Sequence, residues 1–415
     1  MSSPRQQAVP ATPQLLRRLN AARALETLRD GGPMRVRDLV AATGLSRPTA
    51  DAVADDLIRL GWVTALDDEP GGAPKRGRPA RRLAFRADAG YVLGMDIGEH
   101  KVRVAVADLR GTVAAEDVRV FEAALGGRER LAVCRRAIGG VLKAAGLRRT
   151  QLLATCVGCT GGMDADTGRV LFSGAFPDLS GVNLRTEFER SVPRPVLVEN
   201  DCNLAVIAER WRGVAREVDD VICVLATERM GAGIVVAGQL VRGHAGAAGE
   251  MPFLGAYETH HGAEGIAELV RTRAAAVLTN GRAPRGADVR AWVATPQALA
   301  AGDPQGVDAE AVFRAAQAGD PLATEIVEEA LQGAGRAIVT MALVLNPELV
   351  VIGGGVANAG GVVTEPLRRL LEQMVRLPPR LEASPLAEHG VVYGAIRHAL
   401  DDVERRALDR LHDPA

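Results

Sequence analysis

The sequence predicts an α/β protein in two unequal parts, a small helical module followed by a larger body of strands and helices. Apolar residues recur at helical spacing early in the chain and switch to strand-like runs and alternation from Tyr91. The charge changes at the same place: residues 1–90 hold 15 Lys/Arg against 10 Asp/Glu, and residues 91–415 hold 35 against 41. With 415 residues and 47% hydrophobic content, the chain can bury two or three cores.

Composition also excludes several classes. No apolar run reaches the roughly 18 residues that a membrane span needs. Residues 1–12 lack the apolar stretch of a signal peptide, so the expected compartment is the cytoplasm with no membrane partner. Five cysteines (Cys134, Cys156, Cys159, Cys202 and Cys223), scattered through apolar stretches, are expected to be reduced core thiols rather than a disulfide framework. Cys156 and Cys159 match C-x-x-C in form, but their apolar setting predicts buried strand thiols.

Leu15, Leu19, Ala22, Leu25 and Leu28 predict a first helix over 13–29 with these residues on its inner face, opened by Pro13 and stopped by Gly31 and Gly32. A second helix is expected over 36–43. Gly44 and Leu45 then make a turn, Ser46 is a plausible N-cap with Pro48 in the first turn, and Val53, Leu57 and Leu60 mark the inner face of a third helix. Helix, short Gly turn and helix form the helix-turn-helix pattern, whose second helix presents its first turn to base edges in the major groove. The residues expected there are Ser46, Arg47, Pro48, Thr49 and Asp51. Arg47 suits guanine or phosphate, and Asp51 suits cytosine N4. Trp62, Val63 and Thr64 start a wing strand, and the basic run from Lys75 to Arg82 follows a Pro/Gly/acidic loop. Within it Arg76-Gly77-Arg78-Pro79 resembles the AT-hook core, which fits the narrow minor groove of A·T-rich DNA. Lys75, Arg76, Arg78 and Arg81 join the expected DNA contacts, with a solvated linker as the alternative.

From Tyr91 three consecutive strands with tight Gly turns are expected: 92–96, a strand around Val102, Val104 and Val106, and 113–120. Five motifs follow in order: Asp96-x-Gly98; Glu199-Asn200-Asp201-Cys202-Asn203; Gly231-Ala232-Gly233; Ala248-Gly249-Glu250; and the run from Asn346 to Gly355. Together they resemble the ROK family of sugar kinases and sugar-responsive repressors, over essentially the whole chain. The resemblance implies a winged helix-turn-helix followed by a two-lobed actin-like ATPase (ROK) fold, with ligand and nucleotide in the cleft between lobes. The expected domains are a DNA-binding head at 1–70, a basic linker or wing at 71–88, lobe 1 at 89–198 joined by a C-terminal helix at 390–415, and lobe 2 at 199–389.

Set against the family's motifs, the nucleotide site is spoiled. ROK kinases carry Asp-x-Gly-Gly-Thr-Lys in the first phosphate loop, where glycine lets backbone N–H groups approach phosphates. Here Glu99 and His100 replace the second glycine and the threonine. The second loop, Gly-Thr-Gly-Ile-Gly in the kinases, begins with Thr227, Glu228 and Arg229. Carboxylates facing a polyphosphate oppose its binding. The positions that match the family's sugar ligands persist as Asn200, Asp201, Glu250 and Glu268, Asp201 matching the kinases' general base. The family's zinc- and sugar-binding histidine matches Phe253, and of its cysteine-rich zinc loop only His261, beside His260, could ligate. Tetrahedral structural zinc needs four N or S ligands, so no metal and no cofactor is expected.

The expected function is a DNA-binding regulator of carbohydrate metabolism, a repressor without kinase activity, with a sugar or sugar phosphate as effector. Its expected partners are a double-stranded operator and further copies of itself in a homodimer or homotetramer. The alternatives are a sugar kinase with a DNA-binding head and a ligand-independent DNA-binding regulator.

Overall fold

The computed structural model describes residues 12–66, 82–121, 125–251, 264–280 and 289–410. The head contains helices α1 (Pro13–Gly31), α2 (Val36–Thr43) and α3 (Arg47–Arg59) and strands β1 (Met34–Arg35), β2 (Val63–Leu66) and β3 (Arg82–Phe85), the strands paired in the order β1-β3-β2. Thr12 caps α1 by accepting from the Leu15 N–H. Gly44 (φ +68°) ends α2 in the left-handed conformation that glycine tolerates. Ser46 Oγ accepts from the Thr49 N–H at 3.3 Å, capping α3 as expected. The wing therefore gains a third strand, β1, too short to show an alternation in sequence.

The face expected for α1 is only half right. Ala21, Ala24, Leu25 and Leu28 are buried, whereas Leu15 and Leu19 are 36% and 55% exposed, with Leu16 beside them at 48%. A buried carboxylate, Asp56 on α3, fixes the crossing of the two helices: Arg17 of α1 donates to both its oxygens (2.8 and 2.7 Å), and Arg59 pairs with it as well. The run 67–81, with Lys75, Arg76, Arg78 and Arg81, lies outside the described residues.

The body repeats one sheet plan twice. In the first lobe, β4 (Tyr91–Ile97), β5 (Lys101–Asp108) and β6 (Val113–Val120) form an antiparallel meander, and β7 (Leu152–Cys159) and β10 (Val196–Asn200) extend it in parallel, in the order β10-β7-β4-β5-β6. Helices α4 (Gly127–Ala144) and α5 (Leu184–Glu189) and the β8 (Gly162–Asp164)–β9 (Arg169–Phe172) ribbon complete this lobe. In the second lobe, β11 (Val221–Leu225), β12 (Gly231–Val236) and β13 (Gln239–Leu240) form the meander, and β14 (Leu349–Gly353) and β15 (Arg380–Ala383) the parallel extension, in the order β13-β12-β11-β14-β15. Its outer helices are α7 (Ile266–Thr279), α8 (Pro296–Ala300), α9 (Ala309–Gln317), α10 (Pro321–Leu345) and α11 (Gly361–Met374). All five cysteines are buried and free.

Helices α6 (Asp201–Arg212) and α12 (Gly390–Asp409) pack against each other between the two sheets, α12 on β4 and β7 and α6 on β11 and β12. β10 continues to Asn200, two residues past the lobe boundary expected at 198, so α6 leaves directly from the first sheet. Small residues permit the close packing: a Cβ on Gly394 would lie 1.8 Å from the Leu204 carbonyl oxygen, and one on Gly94 would lie 2.7 Å from that of Val392. At its far end α12 holds the head, Glu404 pairing with Arg29 and Asp409 with Arg18 (2.8 Å), while Arg110 donates to the Arg29 carbonyl (3.0 Å). No described helix is long and apolar enough to cross a membrane.

Gly394→Ala should destabilise the body by about 1–3 kcal/mol, the range for overpacking a tight core, read as a lowered thermal midpoint. An unchanged midpoint would mean that α6 and α12 do not approach this closely.

Candidate effector cleft and nucleic-acid face

The ends of β4, β7, β10 and β11 converge on a cavity of about 460 Å³ between the lobes. Asp96 stands at the end of β4, and Gly98 closes the turn to β5 by donating to the Lys101 carbonyl (2.9 Å). The loop is held from behind by Arg130 of α4, only 2% exposed, which donates to the carbonyls of Gly98 (3.2 Å), Glu99 (2.9 Å) and Leu125 (3.1 Å). Its guanidinium lies over the rings of Phe121 and Phe176, 4.7 and 4.4 Å from their centroids. This clamp is not legible in the sequence, because an arginine at a helical position reads as a solvated face.

The two phosphate-loop positions face each other across the cleft. Glu99 Oε2 lies 3.6 Å from Arg229 Nε, and His100 Nε2 lies 4.0 Å from Glu228 Oε2. Arg271 on α7 grips both oxygens of Glu228 (2.5 and 2.6 Å) and also donates to Glu268 (2.8 Å). At the third side, Lys101 and Arg103 of β5 pair with Glu388, just ahead of α12. Neither Arg271 nor Glu388 belongs to a motif, so neither could be picked out from sequence.

The inner end of the cavity is built around α6. Asn200, 5% exposed, caps this helix by accepting from the Asn203 N–H (3.1 Å), while its amide donates to the Gly161 carbonyl and to Glu250, each at 3.0 Å. Asp201 and Glu250 line the cavity with Asp96, Thr160 and Phe172. Glu250 is delivered by Gly249 (φ +84°), whose Cβ position lies 1.8 Å from the Ala232 carbonyl oxygen, so that only glycine fits. Glu199, 1% exposed, accepts from Asn203 (2.9 Å) and Arg242 (2.7 Å), bracing the start of α6.

Residues 92–397 match the model of the ROK family, and residues 16–73 match that of the MarR family. The chain belongs to the ROK family. Its relatives include a glucokinase of Thermotoga maritima, 30% identical over 250 residues (58% of this chain and 76% of the glucokinase). A xylose repressor of Caldicellulosiruptor bescii is 23% identical over 406 residues, 94% of this chain and 97% of the repressor. Among solved structures, a ROK family transcriptional regulator described as a homologue of the E. coli MLC protein superposes with a TM-score of 0.74 at 20% identity, covering 95% of this chain and 99% of its own. A ROK family glucokinase from Streptomyces griseus, solved with glucose and AMPPNP, gives 0.62 at 24% identity, covering 75% and 100%. These likenesses establish the winged head and the two-lobed ROK fold.

Within this ROK chain the expected sugar set divides. Asp201 and Glu250 open on the cavity, whereas Asn200 is committed to the α6 cap and to Glu250. Glu268 is not among the cavity-lining residues. Its Oε2 accepts from Arg271 and from Gln305 (3.0 Å) instead, because Arg271 offers a full charge one helical turn away. Phe253, His260 and His261 lie outside the described residues. On the head, Arg47 and Asp51 are exposed on α3 but only 3.6 Å apart, an (i, i+4) pair, and the Thr49 hydroxyl lies 2.8 Å from that of Ser46. Arg47 and Thr49 thus each have a local partner.

The cavity carboxyls resist ionisation. Burial and then the neighbouring Asp201 raise the Asp96 carboxyl from its ordinary 3.8 to about 7, and the same two causes raise Glu250 from 4.5 to about 7. Asp201 is raised too, by burial. For a group whose folded pKa is raised, the stability contribution is complete below the unfolded value and is lost as pH climbs through the folded one. The thermal midpoint should therefore fall between about pH 4 and pH 7, and Glu250→Gln should fall less over the same interval. Parallel pH curves would contradict this placement of Glu250.

Proposed function

We propose that this chain is a transcriptional regulator of carbohydrate genes, a repressor whose winged head binds an operator and whose interlobe cleft binds a sugar as effector, without kinase activity. The observation that carries the reading is the contact of Glu99 with Arg229 and of His100 with Glu228, which fills both phosphate-loop positions with protein side chains while Asp201 and Glu250 stay open to the cavity. Carboxylates accept sugar hydroxyls without doing chemistry. The matches to the MarR family and to a xylose repressor along nearly the whole chain support the DNA-binding half.

The route from cleft to head is α12. Its start at Val391, with Glu388 just ahead of it, borders the cavity, and its end carries the ion pairs to α1. A ligand that changes lobe closure can thereby shift the head, provided that it binds the two states unequally. In a dimer the spacing of two heads sets the operator half-site spacing.

A second reading, a kinase with a DNA-binding head, draws on Asp201 and on the resemblance to glucokinases. ADP release over a sugar panel separates the two: the regulator reading predicts none above background, and sugar-dependent ADP would overturn it. For the head, fragments recovered from a genomic pool should share a symmetric site near sugar genes. Arg47→Ala should relax sequence preference there by about 1–3 kcal/mol at one base position. A uniform loss across sequences would reduce Arg47 to a phosphate contact.

A further inference from the structure

We infer that the effector of this cleft is an uncharged polyol rather than a phosphorylated or acidic one, and that Glu99 and Glu228 set that choice. The inference rests on the effector reading above and narrows it. Among the described residues, every basic group that lines the cavity already faces a carboxylate of the same cavity: Lys101 faces Glu388, Arg229 faces Glu99, and His100 faces Glu228. Arg271, behind the lining, is spent on Glu228 and Glu268. The excess runs the other way, since Asp96, Asp201 and Glu250 form no ion pair among the described residues.

A phosphate ester entering here would meet the carboxylates of Glu99, Glu228 and Glu388, and beside them the buried carboxyl groups of Asp96, Asp201 and Glu250, none of which offers it a cation. It could gain a cation only by breaking an existing pair, and like charges in a cleft are weakly screened. Hydroxyl groups meet the opposite situation. They donate, and Asp201 and Glu250 offer acceptor oxygens that the protein leaves without basic partners. Arg229 is the group whose freedom would reverse the preference. Its guanidinium sits within the cavity beside Gly174, held there by Glu99 alone among the described carboxylates. Selectivity is thus achieved by unfavourable charge against the wrong ligand as much as by contacts to the right one.

The test titrates the full chain with free pentoses and hexoses, with their phosphate esters, and with inorganic pyrophosphate as a phosphate probe. A free sugar is expected to bind at least about tenfold more tightly than its own phosphate ester, with no pyrophosphate binding by the natural chain. Glu99→Gln, checked for an intact thermal transition, should gain pyrophosphate affinity by about tenfold or more, and Glu99→Gln combined with Arg229→Gln should lose that gain. An ester that binds more tightly than its free sugar, or a Glu99→Gln variant that gains nothing, overturns the inference. If no sugar binds in either form, the effector reading itself falls, while the pyrophosphate arm still decides the role of Glu99.

Discussion

The packing of α6 on α12 is the constraint on which the rest of the molecule depends. Two helices can lie between two sheets only if they approach closely, and Gly394 against the Leu204 carbonyl is where that approach is tightest. The same pair distributes function along its length. α6 begins with Asp201 in the cavity, α12 begins beside Glu388 at the cavity wall, and α12 ends on the ion pairs to the head. A rise of 1.5 Å per residue makes α12, 20 residues long, a rod of about 30 Å from cavity to head. Lobe packing, cavity position and head position are consequences of one helix pair.

The cleft charges act mainly by exclusion. Half-exposed ion pairs contribute only about 0–1 kcal/mol each, so Glu99 with Arg229 and His100 with Glu228 do little to hold the lobes together. Their effect on a ligand is larger, because an incoming anion meets carboxylates whose cations are already taken. Arg271, gripping both oxygens of Glu228 in a less exposed setting, fixes the second loop in that role. Arg130 does the same for the first loop through backbone carbonyls.

Much of this was legible in the sequence wherever a local rule governs the structure. Ser46 caps α3, Gly44 turns the chain, and the three strands from Tyr91 form a meander, each decided by residues close in sequence. The ordered motifs pointed to Asp201 and Glu250 and to the spoiled phosphate loops. What stayed hidden depends on partners far along the chain. Leu15 and Leu19 have the right period for a core helix, but exposure depends on what lies opposite, and both stay exposed. Glu268 has the motif position of a sugar ligand, yet Arg271 one turn on captures it. Asn200 matches a ligand position, and its bonds to the cap and to Glu250 are tertiary contacts that no motif shows. Arg130, Arg271 and Glu388 owe their importance wholly to tertiary contacts.

The central claim is that cavity and head are two ends of one coupled unit. Calorimetric titration of a sugar that binds the cleft, into the chain free and into the chain saturated with its operator, tests it most directly. Coupling requires unequal affinities, by about 5- to 150-fold, with the same factor appearing in operator affinity with and without the sugar. Equal sugar affinities for the free and the operator-bound chain would contradict the account.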